Sequence, residues 1–191
     1  MFPIESFRTT LGKVIQILNR HKIRFHLTGG ITSVAYGEPR MTQDVDIVVD
    51  NKAIMMQLDS FLDSLRTSDF LFDEAAIRIA VDKKQMFQLL DSFEALKLDI
   101  YPRELIPGEL ERSNSIELFD GITVPIASLP DTAISKLIWI SKGSHKNRRD
   151  LRHLFRIATP DQRNAIERLA IKFNLGDLLS EVLSESDEID A

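Results

Sequence analysis

Leu27-Thr28-Gly29-Gly30-Ile31-Thr32-Ser33 and, a short interval later, Thr42-Gln43-Asp44-Val45-Asp46-Ile47-Val48-Val49-Asp50 put chemistry-bearing residues at the ends of two predicted strands. Residues 23–27 alternate apolar and polar, as a half-buried strand does, and the glycine pair breaks that strand. Two glycines there let backbone N–H groups approach a phosphate with no Cβ in the way. A short helix is expected over residues 31–36, ended by Gly37, and its N-terminal dipole favours the same anion. Thr32 and Ser33 can supply hydroxyls. A glycine pair also makes an ordinary turn, so this feature alone decides nothing.

The Asp44-x-Asp46 pair is sharper. Residues 42–50 are rich in β-branched side chains and read as a strand, on which residues two apart share a face. Two carboxylates side by side repel each other unless a cation bridges them, and magnesium with phosphate oxygens and waters is a common solution. The alternative is a solvated strand end. Asp99 is a third acid on a predicted strand, residues 95–101, where Leu96, Leu98 and Ile100 face one way and Lys97, Asp99 and Tyr101 the other. Its weight comes from the combination.

Outward from these segments, residues 5–21 carry helical periodicity through Phe7, Leu11, Val14, Ile15 and Leu18. Residues 52–65 read as one helix and residues 76–81 as a strand. Residues 86–90 and 95–101 read as strands around a turn, and Asp120-Gly121 signals a hairpin between residues 116–119 and 122–125. From Ser128 onward the pattern is helical. Ser128-Leu129-Pro130-Asp131 caps a helix to about residue 141, and residues 147–157, 160–174 and 176–184 are further helices. The acidic residues 185–191 are expected to fray. The expected class is α+β, a mixed sheet flanked by helices, with residues 1–126 as one domain and residues 127–191 as a helical subdomain packed on it.

Composition narrows the chemistry. The chain has 191 residues, a net charge of −5 and no cysteine, which removes disulfides, thiolate metal sites and cysteine nucleophiles. The four histidines show no metal-binding spacing, so carboxylates are the place to look for a metal. No basic leader precedes an apolar run, and no apolar stretch approaches the roughly 20 residues of a membrane span. The expectation is a cytoplasmic protein with no membrane partner.

Taken together, these residues resemble the nucleotidyltransferase fold superfamily, the polymerase-beta-like group. Its members carry Gly-Gly or Gly-Ser, then Asp-x-Asp, then a third acid on a later strand. Here those are Gly29-Gly30, Asp44-Val45-Asp46 and Leu98-Asp99-Ile100. Residues 39–46, Pro-Arg-Met-Thr-Gln-Asp-Val-Asp, look like the Arg-x-Thr-x-Asp-hydrophobic-Asp form of bacterial members, including the toxin-like abortive-infection branch. Lys136-Leu137 resembles the family's lysine-bearing helix, and Arg148-Arg149-Asp150-Leu151 its later Lys/Arg-Asp motif, with Arg149 where lysine is frequent.

The resemblance implies a transfer of a nucleoside monophosphate from an NTP to a hydroxyl on RNA, protein or a small molecule, releasing pyrophosphate. Asp44, Asp46 and Asp99 would be both metal ligands and catalytic groups, with Mg²⁺ as the ion and Mn²⁺ as a substitute. Gly29, Gly30 and Ser33 would cradle phosphates and Lys136 would contact phosphate or ribose; Arg40 would touch the nucleotide or pair with an acidic neighbour, and Asp150 would act in the nucleotide site or anchor the helical subdomain. Other readings are a catalytically silent nucleotide-binding module, and the toxin of a toxin–antitoxin pair with a cognate antitoxin as partner. Trp139, between Ile138 and Ile140, is expected in the core. The basic run from Lys142 to Arg156 reads either as a phosphate surface or as a solvated face.

Overall fold

A computed structural model describes residues 4–37, 44–119 and 121–186. The chain divides into two compact units, one built from residues up to 31 and from 44 to 127, the other from residues 32–37 and 128–186.

The first unit holds α1 (Ile4–Arg20), β1 (Phe25–Thr28), the start of α2 (Gly30–Ala35), β2 (Asp44–Val49), α3 (Asn51–Met56), α4 (Leu58–Arg66), β3 (Phe70–Leu71), α5 (Glu74–Lys83), β4 (Phe87–Asp91), β5 (Lys97–Tyr101), β6 (Asn114–Phe119) and β7 (Ile122–Ile126). Among the described residues the strands form one mixed sheet in the order β3-β4-β5-β2-β1-β7-β6. β1 runs antiparallel to β2 and parallel to β7, and β2 runs parallel to β5. The three strands expected to carry the chemistry, or to precede it, are therefore consecutive in the middle of the sheet. Val45, Ile47, Leu98 and Ile100 are buried, as strand alternation requires of the core face. Leu11, Val14 and Leu18 of α1 and Phe61, Leu62 and Leu65 of α4 complete this core, and Phe61 meets Phe87 of β4 edge-on at 6.4 Å between ring centres.

Residues 76–81 are not a strand. They lie within α5, whose first turn is capped by Asp73 accepting from Ala76 N–H. Ile77, Ala80 and Val81 are buried at helical spacing, while Ile79 is 53% exposed. The alternation of Ala-Ile-Arg-Ile-Ala-Val fits both periods over so short a run; the aspartate cap and the left-handed Lys84 at the C-terminal end define a helix. The single helix expected over residues 52–65 is broken at Gln57, whose N–H is shared between the Ala53 and Ile54 carbonyls. That break lets Ile54 and the Phe61, Leu62 and Leu65 set all reach the core. The two-residue β3, paired with β4 at the sheet edge, carries no sequence signal of its own.

The second unit contains residues 32–37 with α6 (Leu129–Ser141), α7 (Asn147–Ile157), α8 (Pro160–Lys172) and α9 (Gly176–Ser184). Ser128 caps α6 by accepting from Asp131 N–H, with Pro130 in the first turn. A full capping box at Thr159 and Gln162 starts α8. α6 packs against α7, α8 and α9, and Ala133, Ile134, Leu137, Ile138 and Ile140 are buried around most of its circumference, as in a central helix. Arg148 and Arg152 of α7 pair with Glu185, and Arg148 also with Glu181 of α9. The basic run is thus partly consumed in tying two helices together.

Candidate functional site

The carboxylates converge through sheet register. Thr28 of β1 stands opposite Asp46 of β2, and Asp46 stands beside Asp99 of β5, with Asp44 beside Lys97. Residues level with one another on paired strands point to the same face, so one face of β2–β5 carries Asp44, Asp46, Lys97, Asp99 and Tyr101. The Asp44 side chain is 43% exposed, whereas Asp99 is buried at 6%. Lys97 Nζ lies 3.2 Å from Asp99 Oδ2 and 3.8 Å from Asp44 Oδ2. Gln88 Nε2 of β4 donates to Asp99 Oδ1 at 3.0 Å. The Tyr101 hydroxyl donates to Asp46 Oδ1 at 3.2 Å. Burial, reinforced by the negative charges of Asp46 and Asp99, pushes the Tyr101 phenol well above its ordinary pKa, so it remains a donor.

Gly29, between β1 and α2, meets a steric requirement beyond that of an ordinary turn. Its φ is +70°, and a Cβ built there would fall 1.9 Å from Asp46 Oδ2 and 2.7 Å from Asp46 Cγ. The space a side chain would fill holds a carboxylate instead. Gly30 opens α2 and is buried. Gln88 and Tyr101 were not among the expected site residues. Tyr101 had a signal in the period-2 face it shares with Asp99, whereas Gln88 reaches Asp99 only through the β4–β5 register.

In the second unit, Ser33, Lys136 and Asp150 come together. Ser33 Oγ donates to Asp150 Oδ2 at 3.0 Å, and Lys136 Nζ stands 3.0 Å from the same oxygen. All three are nearly or fully buried. His153 Nε2 lies 3.1 Å from the Tyr36 carbonyl, which fastens the end of α2 to α7. Arg40 lies outside the described residues. Trp139 is not in the core: it is 43% exposed, with Lys142 Nζ 4.9 Å from the ring centre. Its neighbours Ile138 and Ile140 turn inward while helical spacing turns it out.

Among the described residues no three His, Asp or Glu side chains form a ready-made metal cage. The donor set nonetheless suits a hard divalent ion: oxygen ligands only, on adjacent strands, one of them seated in a cradle that a Cβ would fill, with an ammonium already bridging two of them. No helix among the described residues is long and apolar enough to cross a membrane.

Residues 16–188 match the family model described as nucleotidyl transferase AbiEii toxin, type IV toxin–antitoxin system. The chain belongs to the AbiEii family. The glycine pair, the Asp-x-Asp strand and the lysine-bearing α6 all lie inside the matched span. This AbiEii chain is similar in structure to an antigenic nucleotidyltransferase-like protein from Paracoccidioides brasiliensis, with a TM-score of 0.52 at 17% identity, over 98% of this chain and 96% of that one. It is also similar to the antibiotic-resistance factor ANT(2'')-Ia, with a TM-score of 0.58 at 12% identity, over 95% and 98%. At such identities the likeness shows the fold, which is that of the nucleotidyltransferases. Among curated proteins, none matches the chain.

Proposed function

We propose that this AbiEii-family chain transfers a nucleoside monophosphate from an NTP to a hydroxyl on RNA, protein or a small molecule, and that this transfer is its toxic activity. The register that brings Asp46 level with Asp99, beside the Cβ-free Gly29, carries the proposal. Asp44, Asp46 and Asp99 would hold Mg²⁺, or Mn²⁺ in its place, and the ion would supply charge neutralisation for the triphosphate and the displaced oxygens. Tyr101 and Gly29 fix Asp46, and Gln88 fixes Asp99. The backbone at Gly29 and Gly30 is the proposed phosphate cradle. The acceptor oxygen bonds to the α-phosphorus, the bond from that phosphorus to the β-phosphate breaks, and pyrophosphate leaves. Asp99 is the proposed acceptor of the hydroxyl proton when it is not a metal ligand.

Within the second unit, Lys136 is the proposed contact to phosphate or ribose, with Asp150 and Ser33 holding it in place; Arg40 is a further proposed nucleotide contact. A cognate antitoxin is the expected protein partner, and the cytoplasm the proposed place of action. The test is incorporation of label from each α-labelled NTP into cellular RNA and protein, with and without EDTA. Wild type should label one acceptor class in the presence of Mg²⁺, and Asp44→Asn with Asp46→Asn should abolish it. Nucleotide binding without transfer to any acceptor would leave the silent-module reading, and neither binding nor transfer would end both.

A further inference from the structure

We infer that Lys97 is a built-in substitute for the divalent ion: its ammonium occupies the Asp44–Asp99 carboxylate pair when no metal is bound, and must leave that position for the ion to enter. The inference rests on the metal-dependent reading above. Lys97 is level with Asp44 across the β2–β5 pairing and two residues before Asp99 on its own strand, so its stem rises between the two carboxylates. Nζ is 3.2 Å from Asp99 Oδ2 and 3.8 Å from Asp44 Oδ2. Asp46, by contrast, is held by the neutral Tyr101 hydroxyl. Lys97 thus supplies a counter-charge to both Asp44 and Asp99.

A divalent ion held by Asp44, Asp46 and Asp99 would compete with the ammonium for these carboxylates, and like charges a few ångströms apart repel strongly in a partly buried site. Lys97 is built to yield. Its side chain is 41% exposed, and a four-carbon stem can carry the charge into solvent without opening the core. In the metal-free chain it offsets the mutual repulsion of the acids. In the metal-bound chain it is a competitor already displaced. Metal affinity is thereby lowered, and the site stays assembled when empty.

The experiment is a Mn²⁺ titration of the full chain followed by the EPR signal of free Mn²⁺, at fixed ionic strength, with Lys97→Met, Lys97→Arg and Asp46→Asn alongside wild type. Thermal melting establishes that each variant is folded. Lys97→Met should bind Mn²⁺ about 10-fold more tightly than wild type, while Lys97→Arg stays within about 3-fold of it. Asp46→Asn should lose the binding. The Lys97→Met melting midpoint should fall without metal and gain more from Mn²⁺ than that of wild type does. If Asp46→Asn loses binding but Lys97→Met binds no more tightly than wild type, Lys97 is no substitute ion and the metal reading stands. If wild type and Lys97→Met both fail to bind Mn²⁺, or binding survives Asp46→Asn, the metal reading falls and the inference with it.

Discussion

Gly29 shows how much of this site depends on a single atom being absent. A methyl group at residue 29 would overlap the Asp46 carboxylate, and the positive φ adds backbone strain. Gly29→Ala should destabilise the chain by about 2 kcal/mol or more and displace Asp46, so that denaturant unfolding and label transfer are both impaired. Asp91 makes a second residue-scale case, this one about stability. It is fully buried and accepts hydrogen bonds from Thr10 Oγ1, Lys13 Nζ and the N–H groups of Phe93 and Glu94. Burial pushes its pKa up, but Lys13, Thr10 and the two N–H groups outweigh burial and hold it below the ordinary carboxylate range. A carboxyl whose folded pKa is depressed contributes stability that is fully present above its unfolded pKa and is lost as pH falls through the folded value. Urea unfolding from about pH 6 down to about pH 3 should therefore show a loss of stability that Asp91→Asn reduces. At neutral pH, Asp91→Ala should cost about 1–3 kcal/mol.

α5 is the element where local pattern and tertiary structure part company. A strand would put Ile77, Ile79 and Val81 on one face; the helix buries Ile77, Ala80 and Val81 and leaves Ile79 outside. Ile79→Lys should then change stability by less than about 0.5 kcal/mol, whereas Ile77→Lys should unfold the chain or nearly so. Equal damage from the two substitutions in a denaturant series would contradict the helix. β2 and β5 are the opposite case. Their alternation is plain in the sequence, and it already placed Asp44 with Asp46 and Lys97 with Asp99 and Tyr101. What alternation cannot supply is which strands are neighbours. That Asp46 stands beside Asp99, and that Gln88 of β4 reaches Asp99, follow from a strand order that brings β5 alongside β2 across a long stretch of intervening chain.

For the molecule as a whole, each unit has a buried carboxylate paired with a lysine, Asp91 with the partly exposed Lys13 in the first and Asp150 with the buried Lys136 in the second. The second pair is the more secluded, and removing one partner strands the other charge away from water. Lys136→Ala should lower stability by about 3–5 kcal/mol, measured by chemical denaturation, quite apart from any effect on nucleotide. The toxin reading belongs to this scale too. Induced expression of wild type should arrest growth of a host lacking the antitoxin, and Asp44→Asn with Asp46→Asn should relieve the arrest at equal protein level. Arrest that persists in the double variant would separate toxicity from the carboxylates.

From the sequence alone come the class of the fold, most of the helices and strands, and the choice of Asp44, Asp46 and Asp99 as candidates, because periodicity and turn chemistry are local and a carboxylate's charge needs no fold to be recognised. The tertiary structure decided three things. It made residues 76–81 a helix, through a cap and a buried face. It turned Trp139 outward and Lys136 inward, because helical rotation against neighbouring helices, not hydropathy, sets burial. And it seated Lys97 between Asp44 and Asp99, because only the pairing of β2 with β5 brings that ammonium within reach of both.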